Sequence, residues 1–216
     1  MPFEQEVSCP VGGEKFSYVG TGSCSYSGGN RRMSFWTPST CDFITRLPVC
    51  PSNKLPLYKD FSADEIEKLK KILKTKTYRR LKKKSRFFRA YQLERQLNPD
   101  AEVGFAYDLL LGGLWYDEAS LTHQNEEYLS AFFLEAEAGI EQASSVNKPF
   151  DQAIVAYFYY RAGDQGNAKR LLEMVKLSDA YQDEPLQSYV NAIEQCISNK
   201  RQACSPGDRI SPGDND

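Results

Sequence analysis

Residues 62–97 read SADEIEKLKKILKTKTYRRLKKKSRFFRAYQLERQL, and this stretch has the least ordinary composition in the chain. Between positions 68 and 89 it contains twelve Lys or Arg residues and no Asp or Glu. The other 194 residues carry fifteen basic and all twenty-nine acidic side chains. The formal net charge of −2 therefore conceals a strong separation of charge along the sequence.

Two helices are predicted within this stretch. Ser62, followed three residues later by Glu65, forms the capping-box pattern that marks the start of a helix. Apolar residues then recur at helical spacing, at Ile66, Leu69, Ile72 and Leu73. A second helix is predicted to begin near Thr77, with its apolar side formed by Tyr78, Leu81, Phe88 and Tyr91.

The remainder of the chain is also predicted to be helical. Apolar faces extend over residues 103–111, 128–140, 150–162 and 167–177, and from Pro185 to about Asn199. Gly112-Gly113 is expected to end the first of these helices. Short loops between helices of this length favour antiparallel neighbours.

One predicted helix pair has the spacing of a tetratricopeptide unit. Its small and apolar positions are Ala156, Tyr159, Gly163-Asp164, Ala168, Leu172 and Val175. Small residues let two helices approach, and Gly-Asp reverses the chain between them. A short irregular tetratricopeptide-like array is therefore expected, with an ordinary helical bundle as the alternative.

The first sixty residues differ in composition from the rest. They are rich in Gly, Ser and Pro, lack a helical period, and contain short β-prone segments at residues 16–19 and 33–36. A segment with so few aliphatic side chains cannot bury enough surface alone, so a staple or a neighbouring domain must hold it. The helices, in turn, are expected to need only cover from it.

These patterns predict an α+β protein that is mainly α. The predicted parts are a ribbon-like loop-and-strand module with four Cys over residues 1–61, an antiparallel, tetratricopeptide-like helical domain over 62–201, and a disordered tail over 202–216. The small N-terminal module is expected to pack on the helical array.

Two segments of the N-terminal module resemble each other, Cys9-Pro10-Val11-Gly12-Gly13 and Cys50-Pro51-Ser52-Asn53-Lys54. Each has the first thiol and the tight turn of a zinc knuckle but lacks the second Cys. Because structural zinc takes four tetrahedral ligands, the sequence predicts one structural zinc ion bound by Cys9, Cys24, Cys41 and Cys50.

Two alternatives to this metal site remain open from the sequence. The thiols are either buried and reduced in a degenerate ribbon, or Cys24 and Cys41 form a disulfide. Cys196, on the apolar side of a helix, and Cys204, in the tail, are expected to be incidental.

The compartment expected from the sequence is the cytoplasm. Residues 1–6 lack the basic and apolar regions of a secretory signal, and no apolar run reaches the length of a bilayer span. Cytosolic thiols stay reduced, which favours metal ligation or burial over disulfides.

Three segments carry a resemblance to a known family. They are CPVGGEKF at residues 9–16, LPVCPSN at 47–53 and LYKDFS at 57–62, the last just before a helix. Together they resemble an uncharacterised bacterial family with a Cys-Pro, ribbon-like N-terminus followed by tetratricopeptide-like helices. In that family the second Cys-Pro segment is commonly followed by Asn-Gly, where this chain has Asn53-Lys54. The resemblance implies the architecture and no activity.

No catalytic template is present in the sequence. It lacks Gly-x-Ser-x-Gly, a phosphate loop and His-Glu-x-x-His, and His123 is its single histidine. The chain is therefore interpreted as a non-catalytic protein-protein interaction or scaffold protein, with an acidic protein surface as its partner. The residues expected to contact this partner are Arg79, Arg80, Lys82, Lys83, Lys84, Arg86, Tyr157 and Tyr160.

The tyrosines belong to this set because residues 157–160 are four successive aromatics. On a helix their side chains point all around the axis, so some of them are not expected to face the core.

Nucleic-acid binding through the basic stretch and the ribbon-like module is the rival interpretation. It is disfavoured because residues 90–216 carry twenty-one acidic and nine basic side chains, and an acidic body repels a polyanion. A solvated helix face that only balances the acidic half is the third interpretation. No membrane contact is expected.

Overall fold

The computed structural model describes residues 2–21, 47–100, 103–116 and 119–199. These residues form a mainly helical α+β structure with one two-stranded antiparallel sheet near the N-terminus, as predicted. Its strands are β1 (Pro2–Ser8) and β2 (Lys15–Thr21). Its helices are α1 (Ala63–Ile72), α2 (Lys76–Leu81), α3 (Arg86–Leu97), α4 (Val103–Tyr116), α5 (Glu126–Gln142), α6 (Lys148–Arg161), α7 (Gln165–Lys176) and α8 (Glu184–Ser198).

Two predictions from the sequence lie outside the described residues: the β-prone segment at 33–36 and the disordered tail at 202–216. Within the described part of the chain, no helix has both the length and the apolar character that a bilayer crossing requires.

The N-terminal sheet is a single hairpin. Strand β2 contains the predicted β-prone segment, and it pairs with β1 in a register that sets Phe3 opposite Gly20 and Ser8 opposite Lys15. The sequence did not predict β1, because its centre, Glu4-Gln5-Glu6, has low intrinsic strand propensity. Pairing with β2 therefore stabilises β1 although its own residues have a low strand propensity.

The basic stretch forms α1, α2 and α3. The capping box at α1 is confirmed: the Ser62 hydroxyl accepts from the Glu65 N–H, and the Glu65 carboxylate accepts from the Ser62 N–H. The single helix predicted from Thr77 to Tyr91 is wrong, because the chain breaks after Leu81 and starts again at Arg86.

The break between α2 and α3 is stabilised by a buried cation. The Arg89 guanidinium donates to the carbonyl oxygens of Leu81 and Lys82, at 3.4 and 3.0 Å, at the end of α2. Ser85 accepts from the N–H groups of Phe87 and Phe88 and so caps α3. Both ends at the break therefore find hydrogen-bond partners, as helix termini require.

Helix α4 continues through Gly112-Gly113 to Tyr116, so the prediction that these glycines end the helix is wrong. They instead allow close approach of neighbouring side chains. A Cβ at position 112 would lie 2.9 Å from the Phe87 ring, and one at 113 would overlap the Tyr128 hydroxyl. That hydroxyl donates to the Leu110 carbonyl at 2.5 Å, which holds α4 against the start of α5.

A polar cluster joins the segment before α1 to α1 and α3. Lys59 Nζ lies 2.7 Å from Glu65 Oε1 and 2.7 Å from Glu94 Oε2. The Tyr58 hydroxyl donates to the same Glu94 oxygen at 2.9 Å, and Asn98 donates to both carboxylates. We call these five residues the Lys59 cluster. Glu94 is almost fully buried, so its charge is balanced within the cluster and not by water.

The chain divides into two compact units, with the boundary inside α5. The described part of the first is 2–21, 47–100, 103–116 and 119–135, and that of the second is 136–199. The predicted domain boundary after residue 61 falls within the first unit. Leu55 is fully buried and Lys59 pairs with α1 and α3, so this segment gives the helices more than the cover expected from the sequence.

The second unit is built around α6. Residues 151–160 are all buried, and α7 and α8 pack against this helix. The predicted hairpin of α6 and α7 is present: Gly163 adopts a φ of +86°, and Asp164 caps α7 by accepting from the Asn167 N–H. Its tetratricopeptide character stays a prediction.

Gly113→Ala should destabilise the protein by about 2 kcal/mol, because the new methyl group displaces Tyr128 and Phe87 from α4. Gly104 in the same helix is the matched control, since nothing lies within 4 Å of its added Cβ. Gly104→Ala should be neutral or stabilise by up to about 1 kcal/mol. Urea unfolding of both variants measures the difference, and equal effects would contradict this packing.

Lys59→Met should lower the free energy of unfolding by about 3 kcal/mol, because Glu94 then keeps a buried charge without its cation. Lys70→Met is the control, since Lys70 pairs with the exposed Glu67. This control should cost under about 1 kcal/mol. Chemical denaturation at neutral pH compares the two variants. Equal losses in the free energy of unfolding would contradict the conclusion that Lys59 neutralises a buried charge.

Acid should weaken the Lys59 cluster through Glu65. The hydrogen bond from Lys59, aided by those from Asn98 and the Ser62 N–H, lowers the pKa of Glu65 from 4.5 to about 2. A carboxyl group whose pKa is lower in the folded state contributes stability above its unfolded pKa and loses that contribution as pH falls through its folded pKa. Unfolding free energies measured between pH 4.5 and 2 should therefore fall less steeply for Glu65→Gln than for the unmodified chain. Parallel curves would contradict this assignment.

Candidate functional site

The two Cys-Pro segments fold as matching turns, which we call the first and second knuckle. In each, the Cys N–H donates to the carbonyl five residues on, Cys9 to Glu14 and Cys50 to Leu55, both at 2.9 Å. In each, the N–H four residues after the Cys donates back to the Cys carbonyl, at 3.0 Å. The likeness seen in the sequence is thus a likeness of backbone structure.

The knuckles also share a left-handed residue. Gly13 has a φ of +72° and Lys54, at the equivalent position, has a φ of +65°. A side chain with positive φ is uncommon, and this family of turns usually has glycine there. The second knuckle keeps the turn in spite of its lysine.

Side chains bind the knuckles to each other. Ser52 donates its N–H to Glu14 Oε1 at 3.0 Å and its hydroxyl to the same carboxylate at 2.5–2.6 Å. Asn53 Nδ2 donates to the Val11 carbonyl at 2.6 Å, and Asn53 Oδ1 accepts from the Leu55 N–H. The hydrogen bonds from the Ser52 hydroxyl and N–H lower the pKa of Glu14, which keeps this carboxylate charged.

A disulfide between Cys9 and Cys50 joins the two knuckles. Both cysteines are buried, whereas the sequence placed them as zinc ligands or reduced thiols. Cys196 is also disulfide-bonded, so the expectation that it is an incidental thiol is wrong. Cys24, Cys41 and Cys204 lie outside the described residues, and the zinc site of Cys9, Cys24, Cys41 and Cys50 stays a prediction.

Glu14 is a third metal-type donor beside the two sulfurs. One oxygen of its carboxylate and the sulfurs of Cys9 and Cys50 all lie within 4.8 Å of one another. Glu14 is not predicted from the sequence as a donor, because its distance from Cys50 along the chain gives no ligand spacing. The only local signal is its position at the end of the first knuckle.

The structure separates the six predicted basic residues into two groups. Arg79, Arg80 and Lys83 are exposed. The others have partners within the chain: Lys84 pairs with Glu127 at 2.5 Å, Arg86 donates to the Leu47 carbonyl, and Lys82 lies over the Tyr78 ring. Three of the six predicted basic residues therefore interact with other residues of the same chain.

Three further lysines join the exposed group. Lys71, Lys74 and Lys76 are exposed, and with Arg79, Arg80 and Lys83 they form what we call the exposed basic cluster. Across the part of the chain that the structure describes, none of the six side chains takes part in an ion pair. These three lysines belong to the basic stretch of residues 68–89. They were not among the residues predicted to contact the partner, because that prediction centred on the dense triplet at residues 82–84.

Helical spacing sets part of the cluster on one side of α2. Lys76, Arg79 and Arg80 are three and four residues apart and so share a side, with Lys83 in the turn that follows. Tyr78 and Leu81 are buried on the opposite side. The helix is thus attached by its apolar side and presents its cations outward.

Tyr157 and Tyr160, the predicted aromatic contacts, are only 4% and 7% exposed. All four aromatics of residues 157–160 are buried, so the expectation that some of them face outward is wrong. The reason is that residues 151–160 of α6 are all buried in the second unit, where α7 and α8 pack against this helix. Arg161 lies over the Tyr157 ring and covers it further.

No protein-family model, curated protein or solved structure matches the chain. The resemblance drawn from its Cys-Pro segments therefore stays a prediction, and the candidate sites are the knuckle pair and the exposed basic cluster.

Proposed function

We propose that the protein is a non-catalytic interaction protein whose exposed basic cluster docks onto an acidic protein surface. The observation that carries this proposal is that six exposed cations have no ion-pair partner within the described residues. The chain has twenty-nine acidic residues that could have neutralised them.

The local electrostatics of α2 support a role in binding. The helix begins with Lys76 and has no acidic residue in its first turn, so a positive charge lies at the positive end of the helix dipole. Lys76 also repels Arg79 and Arg80, and each such like-charge pair costs about 0.2–0.5 kcal/mol. These charges therefore weaken α2 on its own, and an acidic partner relieves the repulsion.

A protein partner is favoured over nucleic acid because of the rest of the chain. Residues 90–216 have twelve more acidic than basic side chains, which repel an extended polyanion beyond the cluster. A compact acidic patch on a partner protein can contact the exposed basic cluster alone and so avoids this repulsion. Charge complementarity of this kind accelerates association and selects partners more than it adds affinity.

The test compares two charge-reversal variants. Arg79→Glu/Arg80→Glu/Lys83→Glu reverses part of the exposed cluster, and Lys84→Glu reverses a cation that is paired with Glu127. The exposed variant should melt no lower than the unmodified chain, because no intrachain ion pair is lost and the repulsion from Lys76 is relieved, whereas Lys84→Glu should melt lower. Thermal unfolding at low and high salt distinguishes them, and salt should restore part of the loss in Lys84→Glu.

Binding is measured with a labelled polyglutamate peptide and a duplex DNA of equal charge, over a range of salt concentrations. The exposed variant should bind polyglutamate at least tenfold more weakly, about 1.4 kcal/mol, while Lys84→Glu keeps most of its affinity. Tighter binding of DNA than of polyglutamate at physiological salt would favour the nucleic-acid alternative. An exposed variant that melts far lower yet binds normally would mean that the cluster is an internal counterweight.

A further inference from the structure

The knuckle pair brings together donor atoms of the types that zinc prefers. Two sulfurs and one carboxylate oxygen from Cys9, Cys50 and Glu14 lie within 4.8 Å of one another. Sulfur, nitrogen and carboxylate oxygen are the usual zinc ligands, and three protein ligands with a water in the fourth position form a recognised zinc geometry. The donors come from two separate segments, so their convergence is produced by the fold.

Bonds other than the disulfide also join the knuckles, so we expect the knuckles to remain paired when the disulfide is reduced. Ser52 holds Glu14 through its N–H and its hydroxyl, and Asn53 holds the Val11 carbonyl. None of these bonds involves sulfur. After the disulfide is reduced, we expect these hydrogen bonds to keep the two thiols near each other. The bonds from Ser52 also fix the orientation of the Glu14 carboxylate, as hydrogen bonds to metal ligands commonly do.

Burial makes the reduced pair a good metal site and a poor place for bare thiolates. Cys9 and Cys50 are 2% and 0% exposed. A thiolate so far from water is costly unless a cation neutralises it. The disulfide and a divalent cation are the two states in which neither sulfur carries an uncompensated charge after it has lost its proton.

We propose that the Cys9–Cys50 disulfide and a zinc ion are alternative occupants of the knuckle pair. A dithiol reductant gives two electrons and two protons to the sulfur-sulfur bond, which yields two thiols while the reductant becomes a disulfide. Zn²⁺ then displaces both protons and is held by the two thiolates and by Glu14, with water as the fourth ligand. Oxidation by a disulfide oxidant of the same class removes two electrons, re-forms the bond and releases the zinc. The knuckle pair thereby couples metal binding to redox state.

The experiment uses the full chain, reduced by a phosphine that does not compete for metal and kept free of oxygen. Co²⁺ serves as the spectroscopic probe, since thiolate ligation gives a near-ultraviolet charge-transfer band, and Zn²⁺ is then added to displace it. Reduced protein should bind one equivalent with two thiolate ligands. Oxidised protein should show no band from this site.

The variants assign the ligands. Cys9→Ser and Cys50→Ser should abolish the charge-transfer band, and Glu14→Gln should weaken binding at least about tenfold while both thiols remain. Glu6→Gln is the matched control, because Glu6 is an exposed carboxylate on the same hairpin that pairs only with Lys15 among the described residues. It should bind like the unmodified chain, and so should Cys196→Ser.

Several outcomes would overturn the proposal. They are the absence of metal binding to the reduced chain, a band that survives Cys9→Ser or Cys50→Ser, and a Glu14→Gln variant with unchanged affinity. Loss of the band in Cys24→Ser or Cys41→Ser would replace this site with the four-cysteine zinc site. If the Cys9 and Cys50 variants do not fold, Glu14→Gln still decides, because it retains the disulfide and its fold is checked by circular dichroism in the oxidised state.

Discussion

The neutralisation of one buried carboxylate is the constraint on which the first unit depends. Glu94 extends from α3 into the interior, where only Lys59, Tyr58 and Asn98 reach it among the residues described. An unpaired charge at that depth costs several kcal/mol, so α3 and the segment after the second knuckle have to fold together. The knuckles are therefore attached, through residues 55–59, to the helices next to the exposed basic cluster. The two candidate sites share one structural support.

The parts of the fold that the sequence predicted depend on close neighbours in the chain. The capping box at Ser62 and the Gly163-Asp164 turn need only residues within a few positions, and β2 was predicted from the strand propensity of its own residues, although it pairs with β1. The parts that it missed depend on distant residues. The α2–α3 break needs Arg89 to cap α2 from the next helix, and α4 passes through Gly112-Gly113 because Phe87 and Tyr128 pack there. Tertiary contacts override local propensity at these positions.

The same distinction limits what the sequence shows of the candidate sites. It marks a run of cations but cannot separate Lys83 from Lys84, because the difference is Glu127, forty-three residues further along the chain. It shows two similar Cys-Pro turns but not that their cysteines bond across a separation of forty-one residues, nor that Glu14 accompanies them. Charge and local turn geometry are properties of segments, whereas pairing is a property of the folded chain.

Helix α6 has a further consequence for how the second unit can change over evolutionary time. Residues 151–160 are all buried, so this part of the helix offers no position where a new polar side chain is simply taken up by water. Helix α7 packs by one side only, and Lys169, Arg170 and Glu173 are exposed on its other side. Sequence drift in this unit is therefore expected on exposed positions of α7 and of α8, where Ser188, Asn191 and Gln195 are exposed, while residues 151–160 of α6 accept replacements only when their neighbours compensate in volume.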